Sequence, residues 1–276
     1  MDMTRLTADM IWGVPDDQLD LDTRLMRATG KTVKGIALEA AGLDVDDYDL
    51  SRFKAAAVPI TSGLGIIGGF AKSVDAIMKR LGMDSCATDS PDVVGFAEAV
   101  DSGADIVMMS DDPLFMAYNT RERRYTDNSW GTGMGYSVCL KNAAHGLEGK
   151  KVLVVGAGRV GAWAARIMLG WGADVEVVDI VPEKAEALRK YGARPVTGVE
   201  RAISDNTLVL NAAPYIIPGE VIADGSIISS PGVPHYYDRE GRSKCKAIIH
   251  DPLEIGAAVM AVNSAAYTIK KEEGIE

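Results

Sequence analysis

Cysteine and histidine are scarce in this chain of 276 residues, which contains three of each. The cysteines, Cys86, Cys139 and Cys245, are odd in number and far apart. They therefore make neither a disulfide framework nor the spacing of a metal site. The histidines are equally dispersed, and we expect no metal. Each cysteine is expected to be a buried small apolar residue rather than a nucleophile.

The sequence also lacks long apolar runs and an excess of basic charge. No stretch approaches the roughly 18 apolar residues of a membrane span. The first residues, MDMTRLTADM, have neither the basic start nor the apolar run of a signal peptide. Lysine and arginine total 29 against 39 acidic residues, so the net charge is −10. Nucleic acid and anionic membrane need a basic surface, and we expect a soluble, cytoplasmic protein that binds a small molecule.

The most informative segment is residues 151–179, KVLVVGAGRVGAWAARIMLGWGADVEVVD. An apolar strand runs into a glycine turn, a helix follows, and a second apolar strand ends on an acid. This order is the fingerprint of a Rossmann dinucleotide site. Its glycines allow a tight turn, close approach of a pyrophosphate, and close packing of helix on strand. The residues predicted to bind cofactor here are Gly156, Gly158, Arg159, Val160 and Gly161.

Asp179 closes the fingerprint about 20 residues after the glycines, where an acid accepts hydrogen bonds from the ribose 2′-hydroxyl. Its charge would repel a 2′-phosphate. The sequence therefore predicts NAD as the cofactor in preference to NADP.

Strands alternate with helices along the rest of the chain, which is typical of an α/β protein. We predict an N-terminal helical plus small α/β substrate domain at 1–145 and a Rossmann domain at 146–253. Pro59 suggests that the first strand lies at a sheet edge, and residues 114–128 look irregular. The predicted strands lie at 55–61, 85–88, 106–109, 151–155, 175–178, 193–196, 207–211, 226–229 and 246–249. The predicted helices lie at 15–29, 70–81, 92–102, 130–147, 182–191 and 254–271, the last packing back on the first domain.

Ligands of open α/β sheets bind at the carboxyl ends of the strands, and two loops there suit the nicotinamide half of the cofactor. These loops are NAAP at 211–214 and SPGVP at 230–234. Small residues and prolines would let the backbone approach a ring, although ordinary turn chemistry explains them equally well. The cofactor candidates in this group are Ala213, Pro214, Pro231 and, at the start of the linking helix, Thr132.

A glycine-rich loop at 62–69 follows the first strand and precedes a helix. Its amides could hold a carboxylate or amide of a substrate. The alternative is a tight connection whose apolar residues belong to the core. The substrate candidates are Ser62 for a hydroxyl contact, Gly63 and Gly65 for the backbone, and Leu64, Ile66 and Ile67 for an apolar pocket.

Two adjacent carboxylates, Asp111 and Asp112, end the strand IVMMS. Either could hold an ammonium group or accept its proton. Asp112 followed by Pro113 also suits the start of a helix, which leaves Asp111 as the catalytic and substrate-binding candidate. Asp251 before Pro252 repeats the pattern and is the second catalytic candidate.

Six segments occur in an order typical of one family. The Asp pair of MMSDD after the TSG-x-GIIG-x-F loop is the specific part, whereas the nucleotide turn is generic. Together the segments resemble the dehydrogenase that completes pyrrolysine biosynthesis in methanogenic archaea and some bacteria, over most of the chain. The segments are VPITSGLGIIGGF (58–70), MMSDD (108–112), NSWGTG (128–133), VVGAGRVG (154–161), SSPGVP (229–234) and HDPLEIG (250–256).

The resemblance implies an NAD-dependent oxidation of the terminal primary amine of lysine-Nε-3-methyl-D-ornithine. Ammonia is lost, and the resulting aldehyde condenses with the ornithyl α-amine to give pyrrolysine. The resemblance implies that Ser62 and the segment 63–67 surround the substrate and that Asp111 and Asp251 lie near its amines. It also implies that Leu6 and the first helix form a lid. A homodimer is the general expectation for such an enzyme.

Two other interpretations share these sequence features. Other two-domain amino-acid or methylene-tetrahydrofolate dehydrogenases have the same layout, but several of them use a catalytic lysine in the first domain. The second alternative is a non-catalytic sensor, which would bind NAD and reduce none of it.

Overall fold

The structure, a computed structural model, describes residues 7–11, 14–43, 47–63 and 65–275. The chain forms two compact units. Unit 1 contains the residues up to Thr23, Lys31–Gly131 and the segment from Leu253 onward, and unit 2 contains Arg24–Gly30 and Thr132–Pro252. The change from unit 1 to unit 2 therefore comes at 131/132, earlier than the predicted 145/146. This division lies inside the helix at Asn128–Ala143. The sequence of a continuous helix does not show where one compact unit ends and the next begins.

The bounds of the regular elements follow, for the residues that the structure describes. The strands are β1 (Lys54–Val58), β2 (Asp84–Ala87), β3 (Ile106–Ser110), β4 (Phe115–Asn119), β5 (Arg124–Asp127), β6 (Lys151–Val155), β7 (Asp174–Val178), β8 (Arg194–Pro195), β9 (Leu208–Asn211), β10 (Ser226–Ser229) and β11 (Cys245–Ile249). The helices are α1 (Ala8–Ile11), α2 (Val14–Thr29), α3 (Val33–Ala40), α4 (Phe70–Arg80), α5 (Asp92–Asp101), α6 (Asn128–Ala143), α7 (Arg159–Gly170), α8 (Pro182–Glu186), α9 (Val199–Ser204), α10 (Arg239–Lys244) and α11 (Glu254–Glu273). Short 3-10 turns lie at Arg189–Tyr191 and Gly219–Val221.

The sheet of unit 1 has the order β2-β1-β3-β4-β5. β1 pairs in parallel with both β2 and β3, so it is an inner strand and the predicted edge position is wrong. The strand ends at Val58, so Pro59 lies outside it and its missing N–H group leaves the ladder intact. The carboxyl ends of β1, β2 and β3 meet at one edge of this sheet.

The prediction of irregular structure at 114–128 is also wrong, because β4 and β5 form an antiparallel extension of the sheet. Their inward face includes Asn119, which is fully buried. Its amide Nδ2 donates to the Ser264 carbonyl at 2.7 Å and to the Thr268 hydroxyl at 2.9 Å. Its Oδ1 accepts from the Glu122 N–H at 2.8 Å. These bonds join the sheet to α11, and this polar inward residue hides the strand in the sequence.

Unit 2 forms, among the described residues, a six-stranded parallel sheet of order β11-β10-β9-β6-β7-β8. Read from β8 to β11, with β6 to β11 numbered 1 to 6, this is the strand order 3-2-1-4-5-6 of dinucleotide-binding sheets. The strand order reverses between β6 and β9, which is where such folds bind their ligand. The predicted fold class, two α/β domains with a C-terminal Rossmann domain, is confirmed.

The cysteines differ in their environments. Cys139 is buried and Cys245 is half-buried, and burial raises the pKa of the Cys245 thiol to about 11. Cys86 is exposed, so the expectation of burial is wrong there, because β2 is the edge strand of its sheet. Within the described part of the chain, none of the helices has the length and apolarity to cross a membrane.

The buried amide of Asn119 gives a stability test. Asn119→Ala should lower the free energy of unfolding by about 3 kcal/mol, because each buried partner left without a hydrogen bond costs about 1–3 kcal/mol. Urea denaturation followed by circular dichroism measures this. Asp101→Ala, at the exposed end of α5, is the control and should change stability by less than about 0.5 kcal/mol. Equal stabilities for the two variants would contradict the role of Asn119.

Candidate active site

The glycine turn between β6 and α7 is held by backbone contacts. Gly156 has a left-handed φ of 91°, and its N–H donates to the Val178 carbonyl at 2.8 Å. A β-carbon on Gly161 would overlap the Gly156 carbonyl oxygen. Only a glycine at position 161 therefore lets α7 begin so close to the turn.

Gly158, unlike Gly161, has open space where a side chain would lie. It is exposed at the N-cap of α7, and a β-carbon there would meet no heavy atom within 4 Å among the described residues. Arg159 is exposed and Val160 half-buried in the same first helical turn. The first N–H groups of a helix have no helical acceptor and carry partial positive charge. The open side of the turn therefore fits a phosphate group.

Asp179 lies beside this turn at the end of β7. Its Oδ2 accepts from the Ala157 N–H at 2.6 Å and its Oδ1 from the Val181 N–H at 2.8 Å. The side chain is half-buried. Each carboxylate oxygen can accept a further hydrogen bond, so the geometry fits a ribose hydroxyl.

The loops after β9 and β10 pack on each other at the same edge. The Gly232 N–H donates to the Asn211 carbonyl at 3.0 Å, and a β-carbon on Gly232 would overlap the Ala213 carbonyl. A β-carbon on Gly156 would lie 3.0 Å from the Ala213 nitrogen. The structure thus brings Ala213 to the glycine turn. Pro231 is half-buried in the adjoining loop.

Pro214 and Thr132 are the remaining cofactor candidates. Pro214 is exposed and Thr132 is half-buried. The residue after Thr132 explains the position of α6, because a β-carbon on Gly133 would lie 3.0 Å from the Val160 carbonyl of α7. Thr132 therefore lies near the start of α7.

The backbone of Asp251 is held by a tyrosine that the sequence did not indicate. The buried Tyr136 hydroxyl accepts from the Asp251 N–H at 2.8 Å and donates to the Asp251 carbonyl. The Ser229 hydroxyl donates to the Tyr136 carbonyl at 2.8 Å. Asp251 itself is buried. A tyrosine in a glycine-rich helix gives no signal of this role in the sequence.

Two stacked histidines flank the same strand end. The His235 and His250 rings are parallel with centroids 3.5 Å apart, and His250 Nδ1 donates to the Ser230 carbonyl at 2.7 Å. Burial lowers the pKa of His235 to about 3, with a further contribution from His250, and burial also lowers the pKa of His250. Both rings are therefore neutral at physiological pH.

The glycine-rich loop of unit 1 begins with a tight turn. The Gly65 N–H donates to the Ser62 carbonyl at 3.2 Å, and Gly63 and Gly65 have left-handed φ values of 67° and 83°. Ile66 is 52% exposed, so the alternative in which the loop's apolar residues belong to the core is wrong for this residue. Ile67 is half-buried. The candidates Leu6 and Leu64 lie outside the described residues.

Asp111 and Asp112 lie in the turn that joins β3 to β4. Asp111 Oδ1 accepts from the Leu114 N–H at 2.8 Å, and the Asp111 N–H donates to the Leu114 carbonyl at 3.0 Å. Asp112 and Pro113 thus belong to a hairpin, and the alternative of a helix start is wrong. The chain reverses because β4 pairs directly with β3.

The hairpin turn and the glycine-rich loop lie side by side. A β-carbon on Gly63 would overlap the carboxylate of Asp112. Phe70 and Phe115, which follow the loop and the turn, are in edge-to-face contact with centroids 5.2 Å apart. The structure therefore combines an acidic turn with a glycine-rich loop at the carboxyl edge of the unit 1 sheet.

A Rossmann unit with a complete dinucleotide turn, joined to a second α/β unit, defines the class of two-domain dehydrogenases. Solved structures agree on the fold. Shikimate 5-dehydrogenase from Thermus thermophilus, solved with NADP(H) and shikimate, has a TM-score of 0.52 at 16% identity and matches 81% of this chain and 94% of its own. Quinate dehydrogenase from Corynebacterium glutamicum, solved with NAD, has a TM-score of 0.52 at 15% identity and matches 77% and 93%.

Sequence relatives give the particular family. Residues 10–126 match the model of the pyrrolysine biosynthesis protein PylD, N-terminal domain, and residues 128–269 match the alanine dehydrogenase/PNT C-terminal domain. Pyrrolysine synthases of Methanosarcina barkeri and Methanosarcina acetivorans are each 32% identical to this chain. The alignments cover 89% and 94% of this chain and 95% and 98% of theirs. This chain belongs to the pyrrolysine synthase family, which confirms the predicted resemblance.

The second and third glycines of the turn, Gly158 and Gly161, should respond differently to the same substitution. Gly158→Ala should fold as the wild type does but weaken dinucleotide binding by roughly tenfold or more, because the new methyl group takes the space of a phosphate. Gly161→Ala should also lower the melting temperature, since its methyl group overlaps the backbone of the turn. Calorimetric binding and thermal unfolding measure both effects. Full dinucleotide affinity in Gly158→Ala would contradict the assignment.

Proposed function

We propose that this protein is an NAD-dependent dehydrogenase that oxidises the terminal primary amine of lysine-Nε-3-methyl-D-ornithine to complete pyrrolysine. The observation that carries the proposal is the alignment with two pyrrolysine synthases over 95% and 98% of their length. Such coverage includes the glycine-rich loop, the acidic turn and the dinucleotide unit together. We expect the enzyme to act as a cytoplasmic homodimer on this small molecule.

The cofactor part of the proposal rests on the glycine turn and Asp179. Bound NAD would supply the chemistry of a hydride acceptor. The amides at the start of α7, with Arg159 and Val160, would hold the pyrophosphate beside Gly156, Gly158 and Gly161. Asp179 would bind the adenosine ribose and repel a 2′-phosphate. Ala213, Pro214, Pro231 and Thr132 would line the nicotinamide half.

The substrate part rests on unit 1. The segment from Ser62 to Ile67 would surround the substrate, with backbone amides for its polar groups and exposed Ile66 for its aliphatic chain. Asp111, held in place by the Leu114 N–H, would bind an amine at the carboxyl edge of the sheet. Leu6 would belong to a lid over the ligands.

The reaction balances with one equivalent of oxidant. Loss of a hydride and a proton converts the terminal CH₂–NH₂ group to an imine, water releases ammonia, and the aldehyde closes on the ornithyl α-amine with loss of water. The net result is one ammonia and one reduced cofactor for each pyrrolysine. The ammonium form must lose a proton before hydride leaves, and a carboxylate beside it would accept that proton. Asp111 and Asp251 are the candidates.

The alternative dehydrogenases fit the strand ends less well. The connections at 59–69, 88–91 and 111–114 supply glycines and acids, and their sequences contain no lysine. A dehydrogenase that needs a lysine from these positions is therefore disfavoured. A sensor is disfavoured by the family, whose curated relatives are named as synthases.

The cofactor preference has a direct test. Asp179→Asn keeps the size of the side chain but removes its charge and one acceptor. The ratio of NADP to NAD dissociation constants should fall by roughly tenfold, because a charged hydrogen bond to NAD is lost and repulsion of the 2′-phosphate is relieved. Fluorescence titration of both cofactors measures it. A wild type that prefers NADP would contradict the assignment.

The reaction is tested by mixing the purified protein with NAD and lysine-Nε-3-methyl-D-ornithine. We expect NADH absorbance, ammonia and a ring-closed product by mass spectrometry. Asp111→Asn and Asp251→Asn then identify the base, whose loss should lower kcat by about 100-fold or more with NAD affinity unchanged. Asp101→Asn, at the exposed C-terminal end of α5, is the control. Folded wild-type protein that binds NAD but forms no NADH would overturn the proposal.

A further inference from the structure

Asp92, the first residue of α5, has an uncommon backbone conformation. Its φ is 55°, in the left-handed region that costs energy for any residue with a β-carbon and that aspartate tolerates better than most. Such a conformation persists when surrounding contacts hold it.

Those contacts go to the stretch that leads into the glycine-rich loop. The Asp92 N–H donates to the Pro59 carbonyl at 2.9 Å. Its Oδ1 accepts from the Thr61 N–H at 2.8 Å, and its Oδ2 accepts from the Thr61 hydroxyl. Hydrogen bonds from Thr61 lower the pKa of Asp92 below its ordinary value, so the carboxylate is charged at neutral pH. Three bonds thus fasten both ends of residues 59–61.

This arrangement differs from ordinary helix capping. A capping carboxylate accepts from N–H groups of its own helix. The Asp92 carboxylate turns instead to Thr61, while the helix N–H of Gly95 donates to the Pro91 carbonyl at 3.0 Å. The Asp92 side chain therefore holds the segment that leads into the loop and does not cap α5.

The loop needs such an attachment because of its composition. Gly63 and Gly65 follow within four residues of Thr61, and glycines lose more conformational freedom on ordering than other residues. A fixed start at Thr61 limits the conformations open to the residues that follow. The Ser62 hydroxyl and the amides of the loop would then meet a ligand in one arrangement, without a cost of ordering on binding.

We infer that Asp92 is a positioning residue, which acts through Thr61 to set the conformation in which Ser62 and Gly63, at the start of the glycine-rich loop, would meet the substrate. This inference rests on the proposed function, in which that loop surrounds the amino-acid substrate. Asp92 itself does not touch the reacting atoms. Its loss should therefore raise KM for the substrate and leave NAD binding in unit 2 unchanged.

Three substitutions separate the carboxylate from the backbone conformation. Asp92→Ala removes the carboxylate and disfavours the left-handed φ, whereas Asp92→Gly removes the carboxylate alone. Both should raise KM by roughly fivefold or more with little change in kcat. Asp92→Asn, which tolerates this φ and keeps one acceptor, should recover part of the loss. Asp89→Asn, an exposed acid in the same connection, is the charge-matched control.

Two further measurements complete the test. Thr61→Val removes the hydroxyl donor and should raise KM in the wild type but add little in Asp92→Gly, because both changes break the same bond. Amide hydrogen exchange of residues 61–69 should be faster in Asp92→Gly than in Asp89→Asn, whatever the substrate is. Wild-type KM and wild-type exchange in Asp92→Gly would overturn the inference. Absence of NADH from the wild type would overturn the proposed function alone, since the exchange result would still report on the loop.

Discussion

The close approach of Gly161 to the Gly156 carbonyl is the constraint on which the candidate cofactor site depends. Because α7 begins so close to the end of β6, its first N–H groups face the space beside Gly158. The Gly156 N–H bond to the Val178 carbonyl joins the same turn to the end of β7, where the Ala157 N–H lies 2.6 Å from the Asp179 carboxylate. The helix end proposed to hold a phosphate and the acid proposed to hold a ribose therefore meet at one tightly packed turn, which a methyl group at Gly161 would disturb.

Unit 1 also holds its candidate site with strand ends and short hydrogen bonds. Parallel strands β1, β2 and β3 end at one edge, and the connections there carry the glycine-rich loop and the acidic hairpin turn. Short polar contacts hold each connection, such as Asp111 to Leu114 at 2.8 Å and Asp92 to Thr61 at 2.8 Å. The rigid sheet supplies the positions, and side chain to backbone bonds fix the loops that a substrate would meet.

The sequence predicts those parts of the molecule whose determinants are local. The dinucleotide turn, the start of α7 and Asp179 lie within one short segment, and the predicted strand at 226–229 matches β10 residue for residue. β4 and β5 are not apparent in the sequence, because β4 places the amide of Asn119 where a strand pattern needs an apolar residue and β5 is a short polar segment, RYTD. The partner of that amide, α11, lies far along the chain.

Contacts between residues that are far apart in sequence cannot be predicted from local sequence patterns. Tyr136 fixes the backbone of Asp251, and Asp92 fixes Thr61, yet neither tyrosine nor aspartate belongs to a motif. Their roles follow from strands that end at a common edge, which only the fold reveals. Local sequence can also favour the wrong structure. Asp112 followed by Pro113 suits a helix start, but the pairing of β3 with β4 places both residues in a hairpin turn.

The proposed reaction oxidises and releases one specific amine of the substrate. Lysine-Nε-3-methyl-D-ornithine carrying ¹⁵N only at the terminal ornithyl amine distinguishes that amine from the others. We expect all of the label to leave as ammonia, in a one-to-one ratio with NADH, and the ring nitrogen of the product to be unlabelled. Label retained in the ring, or NADH formed without labelled ammonia, would rule out the proposed reaction.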